Sequence, residues 1–393
     1  MLQTHLWPEE IVRHEDSLLV SVTIENAHNI RKSLWYQIPL EYENLITHTC
    51  DPFVLAIMFM AMSQGTNLVV HGEVSPSLLQ NLAEFQAAWV TWKPNLYRLI
   101  DIYAEVEKEP SNHRDLDKVI TTFSGGVDSC FTSFNHRSNN SVNVKRNLQT
   151  GLMIHGLDIP LEQKEVFNNA VHKSKEILSS LDVDLITMKT NFRQLIKLNW
   201  DSVYVNALAS CLSLLQRGYT VGLIPSGSYY KQLSVFNASN PVTDNLLSSN
   251  SFRIIHDGAA FTRIDKIRAI TNSAEILQNL RVCWQGEQKD RNCCRCEKCI
   301  RNILCFRVLG RDLPPCFAQD VTDNQILHIQ AQGVPLEALE EILIEAKSIG
   351  ISDNWVQVLE QAIKRNRLKI LLKQYVPNNI RKKLQPLKKI FAK

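Results

Sequence analysis

At 393 residues and 45% hydrophobic content, the chain is longer than one average domain and rich enough in apolar residues to bury a full core, so two domains are expected. The net charge of +3 hides an uneven distribution: residues 364–393 carry eleven Lys/Arg and no Asp/Glu, which leaves −8 on the rest. Overall charge therefore gives no argument for a nucleic-acid substrate, although the basic end could touch an anionic surface.

The opening residues, Met1–Glu9, show no basic cluster followed by an apolar run, so no secretory signal is expected. Runs such as Ser17 to Ile24 and Asn67 to Val70 read as strands, and Pro76 to Val90 reads as a helix. The longest apolar run, Phe53 to Met62, is about half of a membrane span and predicts a buried helix. No transmembrane segment and a cytoplasmic location are expected. Nothing in this leading part suggests chemistry. The charged stretch Glu105 to Asp117, containing Pro110-Ser111-Asn112, reads as a boundary that closes an accessory α/β module over residues 1–115.

Beyond it the pattern becomes strand, loop, helix in repetition. Lys118 to Phe123, Gly151 to His155, Asp184 to Lys189 and Thr220 to Ile224 predict short buried strands, with helix-period stretches between them at Leu161 to Leu181 and Val203 to Arg217. Such alternation predicts an α/β fold with a doubly wound parallel sheet, whose ligands sit beyond the carboxyl ends of the strands.

The first of these strands runs straight into Ser124-Gly125-Gly126-Val127-Asp128-Ser129, and a helix is expected from about Cys130. Two glycines let the backbone approach phosphates without Cβ clashes, and a helix start offers N–H groups and a favourable dipole to an anion. Ser124 and Ser129 add hydroxyls, and Asp128 is suited to Mg²⁺, which prefers carboxylate and phosphate oxygens. A plain Gly-Gly turn is the bland alternative. No Gly-x4-Gly-Lys-Ser/Thr loop is present.

Further candidates follow the later strands. His155 ends the second strand, where it could face nucleotide or substrate or be a strand-end histidine satisfied by backbone. Ser226, in Ser226-Gly227-Ser228, could contact phosphate or be part of a mere Ser/Gly loop. Asp244 and Asp257 lie where the chain could close over the phosphates, and the nearby Arg263 and Lys266 could stabilise departing pyrophosphate, with solvated loop charge as the bland alternative. Cys130 and Cys211 lie in helical runs and read as packing residues more than as nucleophiles.

Five of the ten cysteines fall between residues 283 and 299. Cys283, Cys293, Cys296 and Cys299 have the spacing to close a tetrahedral, structural Zn²⁺ site, with an iron–sulfur cluster or reduced thiols as alternatives. Cys294 could replace Cys293. From about Leu313 onward the chain reads as helices, clearest at Leu336 to Ile349 and Asp353 to Lys373. A tail follows in which apolar and cationic residues interleave.

The Ser-Gly-Gly-x-Asp-Ser loop resembles the signature of the PP-loop, or N-type, ATP pyrophosphatases. The order of phosphate loop, Asp244, Lys266 and four cysteines is similar to that of the 7-cyano-7-deazaguanine synthase family, over roughly Val119 to Leu309. The sequence departs from that pattern at Cys130 and at Cys294, where a glycine is common. The resemblance implies a HUP-like α/β domain over residues 116–312; the helical region over 313–393, with its basic tail, lies outside it. It also implies an ATP-dependent ligase that adenylates a substrate oxygen, releases pyrophosphate and admits a nitrogen nucleophile. Asp128, Ser129 and Lys266 would be catalytic. Residues 124 to 129, His155, Ser226 and Asp244 would bind nucleotide, with ATP, Mg²⁺ and Zn²⁺ as cofactors. A small-molecule substrate is expected, and an oligomer is compatible with the sequence. Sulfur transfer on the same fold, or nucleotide binding without turnover, are the rival expectations.

Overall fold

The computed structural model describes residues 2–110, 117–138, 145–232, 238–283 and 285–375. The expected boundary at residue 115 and the basic tail beyond 375 lie outside the described residues. The chain forms two compact units, Met1–Asn292 and Cys293–Lys393.

The first unit opens with β1 (Gln3–Pro8), β2 (Val12–Arg13), β3 (Ser17–Glu25) and β4 (Arg31–Pro39). In β3 the side chains of Leu18, Val20, Val22 and Ile24 are buried while Ser21 and Thr23 are half-exposed, the alternation of a strand with one face on a core. Next come α1 (Asp51–Gln64), β5 (Asn67–Val74), α2 (Pro76–Trp92) and β6 (Ile102–Glu107). Helix α1 is apolar on every side, and Phe53 through Phe59 are all buried, as expected for a helix with no solvent face. It ends at Gly65, whose φ of 65° is the left-handed conformation of a helix cap.

The remainder of this unit is β7 (Val119–Thr122), α3 (Val127–Arg137), β8 (Leu148–His155), α4 (Lys164–Ser180), β9 (Asp184–Thr190), the short α5 (Phe192–Leu195), α6 (Trp200–Ser213), β10 (Val221–Pro225), β11 (Arg253–Asp257), α7 (Arg263–Ile270) and α8 (Ala274–Asn279). All 11 strands form one sheet in the order β11-β10-β7-β8-β9-β4-β3-β1-β5-β6, with β2 beside β3. The fold is thus α/β with a large, mostly parallel central sheet. Strands β9, β8, β7, β10 and β11 run parallel to one another. The two halves of the sheet join where β4 pairs antiparallel with β9, Tyr36 opposite Thr190. Asn191 reinforces this joint, accepting from the Trp35 amide at 3.0 Å and donating to the Ser33 carbonyl at 2.8 Å.

Counted from β7, the five parallel strands lie in the order 3-2-1-4-5, so the winding reverses between β7 and β10. Right-handed crossovers then put α6 on the face opposite to α3 and α4. Helix α6 packs on α1, its Asn206 amide donating to the Leu55 carbonyl at 3.0 Å.

The second unit comprises α9 (Glu297–Val308), α10 (Asp323–Leu327), α11 (Val334–Ser348) and α12 (Asn354–Tyr375). Leu336, Leu339 and Ile342 of α11 and Trp355, Leu359 and Ile363 of α12 are buried where these helices pack together. No helix among the described residues is long and apolar enough to cross a membrane.

Candidate functional site

The loops leaving β7 and β10 flank the point where the strand order reverses, which is where open α/β sheets bind ligands. The first loop is Ser124 to Ser129. Gly125 has a φ of 73°, a conformation that costs a side-chain-bearing residue about 1–2 kcal/mol, and Gly126 caps the start of α3. The Ser129 hydroxyl folds back on the loop, donating to the Gly126 carbonyl at 3.1 Å and accepting from the Ser124 amide at 3.3 Å. The Ser124 hydroxyl accepts from the Gly126 amide at 3.4 Å. A closed, glycine-bearing turn thus delivers the chain to a helix N-terminus, whose first-turn amides have no intrahelical acceptor.

Arg281, which the sequence reading passed over, holds this loop from behind. Its backbone amide donates to the Gly125 carbonyl at 2.7 Å, and its guanidinium donates to the Ser124 carbonyl at 2.8 and 3.1 Å and to the Lys289 carbonyl at 3.1 Å. An arginine whose hydrogen bonds go to backbone oxygens, with the Asp158 carboxylate 3.9 Å away, leaves no pattern in a sequence.

Asp128 stands in the first turn of α3 with its two carboxylate oxygens bound separately: Oδ1 is 2.9 Å from Lys266 Nζ and Oδ2 is 3.0 Å from Arg263 Nη2. Both cations come from α7, whose start is fixed by reciprocal bonds between Thr262 and Asp265. Burial by itself would raise the Asp128 carboxyl, but Arg263 and Lys266 outweigh it and hold the group well below the ordinary carboxylate range. Lys266 is nearly fully buried, and burial lowers its ammonium below the usual value. The same ammonium donates to the carbonyl of Ser226, in the loop after β10. The structure therefore gathers Ser124, Gly125, Gly126, Val127, Asp128, Ser129, Ser226, Arg263 and Lys266 at one edge of the sheet.

The other expected residues take different positions. Asp257 ends β11, where Thr132 Oγ1 donates to it at 2.7 Å and His136 Nε2 lies 3.1 Å away. Burial raises its carboxyl, and the His136 contact leads the interactions that leave it lowered. His155 is buried at the end of β8 with Nε2 2.8 Å from the Pro160 carbonyl and its ring stacked on Phe167 at 4.3 Å, and burial lowers its imidazole. Asp244 is fully buried after β10, bound to Ser239, to the Asn240 amide at 2.9 Å and to His256 at 2.8 Å. His136, Ser239 and His256 were not singled out from the sequence as site residues.

The thiol sulfurs of Cys283, Cys293, Cys296 and Cys299 all lie within 4.8 Å of one another, a group that could hold a metal ion. The Sγ atoms of Cys293 and Cys299 are 3.9 Å apart. A tetrahedral thiolate site with Zn–S bonds of about 2.3 Å has sulfurs separated by about 3.8 Å, so the donor set fits zinc. Cys294 is not in the group: it takes a φ of 56° and turns the chain between the ligand-bearing residues on either side. The segment that carries Cys283 is tied to its surroundings by Asn292, whose side chain accepts from the Val282 amide at 2.9 Å and donates to the Leu280 carbonyl at 2.8 Å.

Comparison with protein-family models, with curated proteins and with solved structures finds no match.

Proposed function

We propose that the chain is an ATP-dependent, AMP- and pyrophosphate-forming ligase of the PP-loop class, with a HUP-like domain similar to that of 7-cyano-7-deazaguanine synthases. The observation that carries this reading is the Ser124 to Ser129 turn at the point of strand-order reversal, with two α7 cations at its aspartate. In this reading the loop amides and the start of α3 cradle the phosphates, and Lys266 and Arg263 offset the charge that builds on departing pyrophosphate. Asp128 would hold Mg²⁺, which neutralises phosphate charge when bound. A small molecule's carboxylate or amide oxygen attacks the α-phosphate, and a nitrogen nucleophile then displaces AMP. The work of the site is positioning and charge neutralisation.

Sulfur transfer is the weaker reading. Cys211 is fully buried, and burial pushes its thiol well above the ordinary range, which opposes a sulfur-carrying thiolate. Cys283, Cys293, Cys296 and Cys299 would hold a structural Zn²⁺. A cytoplasmic location, an oligomeric state and contact of the basic tail with anionic surfaces belong to the same proposal.

The test is to incubate the protein with Mg·ATP and the low-molecular-mass fraction of a cell extract, and to separate the nucleotides formed. AMP and pyrophosphate are expected. Formation of ADP and orthophosphate in their place overturns the reading.

A further inference from the structure

His256 lies at the carboxyl end of β11, opposite Ile224 of β10 and next to Asp257. Its side chain is 4% exposed. Nδ1 has two neighbours, Asp244 Oδ2 at 2.8 Å and Ser239 Oγ at 3.1 Å. The Ser239 hydroxyl also lies 2.6 Å from Asp244 Oδ2 and donates its proton there. A hydroxyl has one proton and a carboxylate has none, so at Nδ1 both neighbours can only accept. The proton of a neutral ring must therefore sit on Nδ1, leaving a bare lone pair on Nε2. That Nε2 is buried and has no hydrogen-bond partner among the described residues. Buried polar atoms in native proteins are almost always paired, so an oriented, unpaired acceptor calls for a function.

The surroundings connect this imidazole to the phosphate loop. The Asp257 carbonyl, one residue along, accepts from the Ser226 amide at 2.7 Å, and the Ser226 carbonyl accepts from Lys266. Tyr204 of α6 lies beside Ser239, and after burial the charges of Asp244 and of Asp128 both act to raise its hydroxyl. The strand end that carries His256 is thus joined, through Asp257 and Ser226, to the lysine that holds the loop aspartate.

We propose that His256 Nε2 is the proton acceptor for the nitrogen nucleophile, with Asp244 as the residue that positions its ring. This rests on the ligase reading above. In the step assigned, the amine lone pair forms the C–N bond and the carbon–oxygen bond to AMP breaks, with its electron pair leaving on AMP. The proton lost by nitrogen goes to Nε2, and the imidazolium formed is stabilised by the Asp244 carboxylate.

Two measurements test it. In the native protein, ¹⁵N NMR of the imidazoles is expected to show His256 protonated at Nδ1 and bare at Nε2, and the opposite tautomer overturns the proposal whatever the nucleotide chemistry. The second measurement uses His256→Asn, which retains a donor toward Asp244 but has no atom at the Nε2 position. With Mg·ATP, the extract fraction and ammonium chloride, this variant is expected to retain exchange of labelled pyrophosphate into ATP while its AMP formation falls by about 100-fold or more. AMP formation that stays near native, or falls only in step with exchange, overturns the role. Absence of exchange in the native protein would instead mark failure of the ligase reading itself. Asp244→Asn, measured alongside, should lower AMP formation and change the ring's tautomer together.

Discussion

Lys266 Nζ stands 2.9 Å from Asp128 Oδ1 and donates to the Ser226 carbonyl as well, so one buried ammonium joins the loops that follow β7 and β10. Arg263 takes the second oxygen of Asp128, so each oxygen of that carboxylate faces one cation. The arrangement makes α7 the element that sets how the phosphate loop and the second loop face each other. Its consequences can be measured in stability as well as in turnover.

Lys266→Met should destabilise the protein by about 3 kcal/mol, since removing one member of a buried ion pair leaves the other charge poorly compensated. Arg263 remains on Asp128, which keeps the loss at the low end. The Ser226 carbonyl loses its donor at the same time. Urea unfolding at neutral pH measures this, and a loss under about 1 kcal/mol would place the pair among those that contribute little.

Acid should act through the same carboxylate. The ordinary value of an aspartate here is 3.8, and Asp128 in the fold lies well below it. The unfolded chain therefore takes up a proton before the native state does. The stability contributed by this group is complete above 3.8 and is lost as pH falls through that value toward the folded one. Asp257, lowered in the same sense, adds to the slope. Unfolding free energy should fall steeply below about pH 4, and Asp128→Asn should make the fall shallower without abolishing it. An unchanged slope would mean that Asp128 takes no part.

Arg281→Ala should strip the guanidinium bonds from the Ser124 and Lys289 carbonyls while leaving the backbone bond to Gly125 in place. Hydrogen bonds from a charged donor contribute about 1.5–3 kcal/mol, so a stability loss of about 3 kcal/mol is expected. The loop that would bind phosphate is the part loosened, so Mg·ATP should also bind about ten-fold more weakly, a change of about 1.4 kcal/mol. Calorimetric titration of native and variant proteins decides it. Equal affinities would make Arg281 a purely structural residue.

How much of this was legible in the sequence follows from the kind of signal each part leaves. Val119 to Thr122, the two glycines and Asp128 announce themselves because strand, turn and helix start have local chemical requirements that a few adjacent residues must satisfy. Helix α1 was legible from its unbroken apolar run. The sharing of one sheet by the leading strands and the phosphate-loop strands was not, because the joint is a backbone pairing of Tyr36 with Thr190 across more than a hundred residues, to which side-chain pattern gives no clue. Arg281 escaped notice for the same reason: its acceptors are carbonyl oxygens, which every residue has. Asp244 was noticed as a charge near the phosphates, yet what distinguishes it is the fully buried contact with His256 twelve residues on. Sequence spacing cannot tell such a pair from two solvated loop residues.

The cysteine cluster offers a prediction in which neighbouring residues must behave differently. Cys293 and Cys294 are adjacent, and spacing alone allows either as a ligand. In the structure Cys293, with Cys283, Cys296 and Cys299, belongs to the group of close sulfurs, whereas Cys294 takes the left-handed conformation that turns the chain. Cys294→Gly removes a side chain from a backbone position that glycine adopts without strain, so the variant should retain one zinc per chain by elemental analysis and unfold no earlier than the native protein. Cys293→Ser should lose most of the metal, because a hydroxyl does not replace a thiolate on Zn²⁺. Metal binding by such a site is coupled to folding, so Cys293→Ser should also give less soluble protein, and a chelator should lower the unfolding temperature of the native and Cys294→Gly proteins alike. A Cys294→Gly protein that lost its zinc while Cys293→Ser retained it would reverse the assignment. Iron in place of zinc, visible as brown colour, would retain the four ligands and change the metal.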